Sequence, residues 1–252
     1  MKRFGIFIIF FSLLFGSDPM PFAIPTIELN MRTDLQTIVD QEDGIYLGHP
    51  STVLLEDGKT ILIVYPKGHG KGEIIYKRSE DGGKTWSHPN PIYQNKKIHL
   101  CEPGIIRSPD GDQLAALLRE NSRTENSHVI FSNDEGVTWS TPVELPRELT
   151  GDRHTGKYLK DGRLFLSFRD TAPNSPTQGD WVAWIGTYED IVSGKPGEFR
   201  IRIKDNKHQW DCAYPGVEIL PNGEIVTTTY GHWDEGKSPY ILSVRININN
   251  LK

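Results

Sequence analysis

Residues 49–86 begin HPSTVLLEDGKTILIVY and end SEDGGKTW; residues 102–139 begin EPGIIRSPDGDQLAALL and end SNDEGVTW. The two stretches align without a gap: His49 and Glu102, Asp57 and Asp110, and Trp86 and Trp139 are each 53 positions apart. A period of this size marks a repeat architecture, in which each unit buries its apolar face against its neighbours. Within each copy two apolar runs flank an Asp-Gly turn, Asp57-Gly58 or Asp110-Gly111, as in an antiparallel hairpin. Each copy closes on S-x-D-x-G-x-T-W: Ser79, Asp81, Gly83, Thr85, Trp86, then Ser132, Asp134, Gly136, Thr138, Trp139. In such a box Asp and Ser bond the backbone of a tight turn, Gly supplies positive φ, and the Trp packs between neighbouring sheets. Asp81 and Asp134 are therefore turn-formers and not catalytic carboxylates.

Two further units lack the box: GDRHTGKYLKDGRLFLSFRD at 151–170 and DCAYPGVEILPNGEIVTTTYGHW at 211–233. Their turns, Asp161-Gly162 and Asn222-Gly223, follow the second unit's turn at intervals of 51 and 61 residues. With 24 Gly, 17 Pro, short apolar runs and no long helical period, the chain reads as all-β with many turns. Four sheets of about fifty residues each suggest the blades of a β-propeller. The first unit adds a third strand, the box and an outer strand, whereas Lys252 follows just after the last unit's YILSVRI. A strand within residues 26–44 is expected to complete that last sheet and remove a free edge.

Met1-Lys2-Arg3 and the apolar run FGIFIIFFSLLFG at 4–16 have the form of a signal peptide and are short for a spanning helix. Residues 1–23 are read as signal peptide or N-terminal anchor and 24–252 as the domain. The expected destination is periplasmic or secreted, with no stable membrane insertion after processing. A net charge of −5 and no basic stripe give no case for nucleic acid. The two cysteines, Cys101 and Cys212, fall at similar places in two repeats, which allows a disulfide or two buried thiols. They support no metal site, and nothing else in the chain calls for a cofactor.

Eight residues before each turn Asp or Asn stand His49, Glu102, Arg153 and Tyr214. They share one place, the start of the innermost strand, and should converge at one end of the central axis. Each second strand returns to that end. It brings Lys67 and His69 from the first unit, and Arg119, Glu120, Asn121 and Arg123 from the second. The third adds Arg169 and Asp170; the fourth adds Tyr230, His232 and Trp233. Polar residues at equivalent positions in all four units point to a pocket there.

The paired boxes resemble the Asp-boxes, or BNR repeats, of the sialidase (neuraminidase) superfamily. That resemblance implies a six-bladed propeller, three arginines on a sugar carboxylate, a Tyr–Glu nucleophile pair and an Asp acid/base. The run AYPGVEILPNGEIVTTTY at 213–230 is similar to the family's stretch around its nucleophile, which places that role on Tyr214. Glu102 is its candidate base, and Asp170 the candidate general acid. Arg119, Arg153 and Arg169 are candidates for the carboxylate clamp, with Arg123 as a substitute. The family's first arginine motif is here Gly48-His49-Pro50, so His49 joins His154, His232 and Trp233 as further ligand contacts. The implied substrate is a terminal acidic sugar on a glycan. Two alternatives stay open: a polysaccharide lyase on uronate chains, using the histidines, Tyr214 and the arginines, and a non-catalytic propeller stacking sugars on Trp233 and Tyr230.

Overall fold

The structure, a computed structural model, describes residues 22–47, 51–54, 61–66, 74–77, 98, 100–134 and 138–251. The chain is all-β. Two short strands come first, β1 (Thr26–Glu28) and β2 (Gln36–Asp40). Next follow β3 (Ser51–Leu54), β4 (Ile61–Pro66) and β5 (Ile74–Lys77), which form one antiparallel sheet. A second sheet is built from β6 (Leu100–Arg107), β7 (Leu114–Glu120), β8 (His128–Ser132) and β9 (Val143–Glu144). The third holds β10 (Gly151–Tyr158), β11 (Leu164–Asp170), β12 (Trp181–Gly186) and β13 (Phe199–Lys204). The fourth holds β14 (Gly216–Ile219), β15 (Ile225–Gly231) and β16 (Tyr240–Ile246). One helical turn and a half, α1 (Tyr188–Val192), joins β12 to β13.

Turn chemistry makes the hairpins alike. Gly111, Gly162 and Gly223 take φ of 89°, 86° and 88°, which a side chain would resist. Just before each, the turn residue's Oδ1 accepts the amide two residues on: Asp112 to Asp110 at 3.1 Å, Arg163 to Asp161 at 3.1 Å, Glu224 to Asn222 at 3.0 Å. In the second box Asp134 Oδ1 accepts from Ser132 Oγ and from the Thr138 amide, both at 2.8 Å, and Oδ2 accepts from Thr138 Oγ1 at 2.5 Å. Asp134 is a turn-former, as its spacing implied. Trp139 packs beside Ala116, Leu118 and Ile130 of the second sheet. The first box, residues 79–86, lies outside the described residues.

Every residue of β11 is buried, because the third sheet is covered on both faces. Leu164, Leu166, Phe168, Val182 and Trp184 meet Ala115, Leu117 and Val129 of the second sheet. Phe165, Trp181, Ala183 and Ile185 meet Val217, Ile225, Leu242 and Val244 of the fourth. The alternation follows from the two-residue period of a strand. The sheets also touch along their first strands: β6 lies beside β10, β10 beside β14, and β14 beside β3. Gly104 permits one such approach, since a Cβ there would stand 2.1 Å from the carbonyl oxygen of His154.

The outer strand of the fourth sheet is β2, paired antiparallel with β16 from Gln36 opposite Val244 to Asp40 opposite Ile241. The N-terminal segment thus supplies that strand from within 26–44. It also does something the pattern did not suggest. β1 adds a fifth strand to the third sheet, parallel to β13, with Thr26 opposite Arg200. Phe22 sits under two guanidinium groups, 3.9 Å from that of Arg200 and 4.5 Å from that of Arg147. Cys212 is a buried free thiol, its Sγ 3.1 Å from the carbonyl of Gly179. Residues 1–21, most of the expected 1–23 leader, lie outside the described residues; among those described, no helix is long and apolar enough to cross a membrane.

Candidate functional site

The site is made by two repeated bulges. Register shifts interrupt β6–β7 between Cys101 and Gly104, and β10–β11 between Asp152 and Thr155. Inside them Glu102 and Arg153 take φ of 49° and 61°, the left-handed region that side chains avoid. A bulge bends its strand and re-aims side chains, here toward the end where β7 and β11 finish. The fourth sheet echoes it: Ala213, just before Tyr214, has φ of 56°.

At the centre lies Asp152, wholly buried and opposite Arg169 across the β10–β11 ladder. Arg123 grips it through both nitrogens, at 2.5 and 2.8 Å. Arg169 donates Nε to Oδ2 at 2.9 Å and Nη2 to the same oxygen. Arg119 Nε stands 3.2 Å from Oδ1. Burial pushes the Asp152 carboxyl up, but the Arg123 hydrogen bonds and the charges of Arg169 and Arg123 outweigh it and hold the group below the usual carboxylate range. One buried carboxylate therefore fixes three guanidinium groups.

Glu102 links this cluster to Tyr214. Its Oε1 accepts Arg119 Nη1 at 2.7 Å and the Tyr214 hydroxyl at 2.8 Å. Above the Tyr214 ring lie the guanidinium groups of Arg153, at 5.3 Å, and Arg169, at 6.0 Å. Arg153 is exposed and makes no ion pair among the described residues. The phenol is pushed up to about 12, by burial first and by the Glu102 carboxylate, with Arg169 and Arg119 pulling the other way. The Glu102 carboxylate, the candidate base, thus raises the resting pKa of the phenol rather than lowering it.

A second polar group adjoins the first. Asp211, with φ of 72°, accepts Tyr46 and Tyr230 hydroxyls on Oδ1 at 3.0 and 3.1 Å, and meets His232 Nε2 with Oδ2 at 3.1 Å. His208 stacks on the His232 ring at 4.6 Å, and Tyr230 stacks on Tyr214 at 6.2 Å. The single segment 208–214 thus carries His208, Trp210 beneath Arg123, Asp211, the Cys212 carbonyl on Arg169 at 3.3 Å, and Tyr214.

Four sequence candidates stand differently. Asp170 is fully buried; its oxygens take the Ala172 amide, Ser175 and Thr177 hydroxyls, and the Arg200 guanidinium 3.0 Å away. Sealed in this way, it anchors the 170–180 loop and is not a general acid. His154 is buried against Phe168, donates to the Leu149 carbonyl at 2.7 Å, and has its pKa lowered to about 4 by burial. Trp233 is core: it packs on Trp181 at 5.7 Å and donates to the Tyr240 carbonyl at 3.0 Å. Glu120 caps the following turn through the amides of Ser122 and Thr124. His49, Lys67 and His69 lie outside the described residues. Asp152 and Asp211 were not singled out in the sequence. Counting the hairpin register from Asp161-Gly162 sets Asp152 opposite Asp170, and only the bulge between Asp152 and Thr155 brings it opposite Arg169; no signal of this kind marks Asp211.

Among the described residues no three His, Cys, Asp or Glu side chains converge to hold a metal. A cavity of about 550 Å³ lined by Ser108, Asp110, Gln113, Gly162, Tyr188 and Glu189 opens at the turn end of the hairpins, away from these groups.

Residues 35–215 match the model of the BNR repeat-like domain family, and the chain belongs to that family. No curated protein matches it. A solved protein of unknown function from Dyadobacter fermentans shares the fold at 19% identity and a TM-score of 0.54, covering 77% of this chain and 51% of its own. The NanB sialidase of Streptococcus pneumoniae is 19% identical over 83% of this chain and 32% of its own, with a TM-score of 0.43. The intramolecular trans-sialidase of Ruminococcus gnavus is 22% identical over 76% of this chain and 39% of its own, with a TM-score of 0.41. The chain spans about half, or less, of the length of these three proteins.

Proposed function

We propose that this chain is a glycoside hydrolase of sialidase type, removing terminal acidic sugars from glycans with retention and with Tyr214 as nucleophile. The observation that carries the reading is the Tyr214 hydroxyl on Glu102 Oε1 at 2.8 Å, below the exposed guanidinium of Arg153. A neutral phenol can approach an anionic sugar without the repulsion a carboxylate would meet. As it bonds the anomeric carbon, its proton passes to Glu102. Arg119, Arg123 and Arg169 are held by Asp152 and are spared reorganisation when a ligand arrives. Arg153, which makes no ion pair among the described residues, is the group that takes the sugar's carboxylate.

The four sheets are four blades around one axis, in this reading. The approach of β14 to β3 supports it, because it brings the last sheet back to the first. The leader directs residues 24–252 out of the cytoplasm, where terminal acidic sugars occur.

The test is turnover of a 4-methylumbelliferyl sialoside by the purified protein beside Tyr214→Phe. We expect turnover in the parent and a loss of at least about 1,000-fold in the variant, with ligand affinity largely kept. Equal turnover in both would remove Tyr214 from the chemistry. Release of an unsaturated product absorbing in the ultraviolet from a uronate polysaccharide, with no turnover of the sialoside, would replace the hydrolase with a lyase.

A further inference from the structure

We infer that His232, held by Asp211, is the proton donor and acceptor of this same site, the role that buried Asp170 cannot fill. The inference rests on the hydrolase reading above and adds the group which that reading lacks. His232 is partly exposed, at 19% of its side chain, and lies one residue past β15. Its Nε2 meets the Asp211 carboxylate, and its Nδ1 makes no hydrogen bond among the described residues. The ring is braced on one face by His208, which is itself fixed by its Nδ1 on the Trp210 carbonyl at 2.8 Å. Its backbone amide donates to Asn206 Oδ1 at 3.1 Å. A carboxylate on one nitrogen orients an imidazole and leaves the other nitrogen to exchange a proton with a ligand.

Asp211 has a built position. It accepts from Tyr46 and Tyr230 on one oxygen and meets His232 on the other, and its backbone is strained at φ of 72°. Strain of this kind persists where the surrounding contacts over-determine it, and it concentrates at functional sites. Burial pushes its carboxyl up, but His232 and the two hydroxyls outweigh that and keep it ionised. Tyr230 ties the dyad to the nucleophile, since it bonds Asp211 and stacks on Tyr214.

The steps balance without any further reagent. Tyr214 Oη bonds the anomeric carbon and its proton goes to Glu102 Oε1. The glycosidic C–O bond breaks, and the departing oxygen takes a proton from His232 Nδ1. In the return step water bonds the same carbon and gives its proton to His232 Nδ1. The carbon–Tyr214 bond breaks, and Tyr214 Oη recovers its proton from Glu102. Asp211 stays ionised throughout and acts as a positioning residue.

The experiment compares two sialosides that differ in leaving group, sialyl-lactose and the 4-methylumbelliferyl sialoside, with His232→Gln and the isosteric Asp211→Asn. An aryl alcohol departs with little help, whereas a sugar alcohol needs a proton, and general acids contribute about 100- to 10,000-fold. We expect both variants to lose at least about 100-fold on sialyl-lactose and at least about 10-fold less than that on the aryl substrate. The aryl reaction should also leave a glycosyl adduct on Tyr214, seen by intact mass, because the return step has lost its base. Equal losses on both substrates without an adduct, or no loss on either, would overturn the dyad while an active parent and a dead Tyr214→Phe keep the hydrolase reading. A folded parent that cleaves neither sialoside would remove the hydrolase reading, and the dyad's role with it.

Discussion

Asp152 is the residue on which the arginine cluster depends. It is wholly buried between Arg119, Arg123 and Arg169, so its loss leaves Arg123 and the largely buried Arg169 without their counter-ion. Breaking a buried charge pair from one side costs about 3–5 kcal/mol. Asp152→Asn, which keeps the shape and removes the charge, should lower the unfolding free energy measured in urea by about that much at pH 7. The pH dependence has a definite sign. The folded pKa of Asp152 lies below its unfolded value, so its stabilisation is complete above about pH 4 and fades as the pH falls through the depressed folded value. The parent should therefore lose stability relative to Asp152→Asn on acidification below about pH 4, and the two should run parallel between pH 5 and 7. A gap that widens between pH 5 and 7 would mean that another group carries the effect.

At the scale of the element, the two bulged strands β6 and β10 are coupled through Gly104. A methyl group there would meet the His154 carbonyl oxygen at 2.1 Å, and a backbone atom cannot swing aside as a side-chain tip would. Gly104→Ala should destabilise by about 1–3 kcal/mol, the usual range for overpacking. Glu102 and Arg153 sit within the same bulges, so turnover should fall as well, beyond what the lost stability explains. Urea unfolding and turnover at a temperature where both proteins are folded would check this. An unchanged midpoint would mean that β6 and β10 can separate freely. The hairpin turns at the far end of these strands tolerate change differently: a Cβ at Gly111 or Gly162 meets nothing, so only the positive φ resists substitution.

For the whole molecule, the decisive pairing is that of β2 with β16, some two hundred positions apart in sequence. It covers the edge of the fourth sheet, while β1 covers the edge of the third, so one N-terminal segment closes two sheets at once. An open strand edge is a template for another chain, which gives this arrangement a physical purpose. Hydrogen–deuterium exchange should show the amides of 36–40 that bond β16 protected alongside those of β16 itself. Rapid exchange at 36–40 beside a protected β16 would mean that the fourth sheet is open at its edge.

The amino-acid sequence by itself determined the local parts. Alternating apolar residues and Asp-Gly or Asn-Gly turns specify hairpins wherever they stand, because turn chemistry and the two-residue period act over a few neighbouring residues. The eight-residue interval before each hairpin turn determined which residues are equivalent, and so placed Tyr214 with Glu102 and Arg153. Register could not say which face of a strand would be covered. The third sheet is packed on both sides, so Asp170, His154 and Trp233 went into the interior although their strand positions matched those of exposed groups. Only the tertiary structure decided that Asp152 gathers three arginines and that Asp211 gathers two tyrosines and His232. Those partners come from different sheets and loops, and bulges and strained backbone set their meeting, which no short window of sequence encodes.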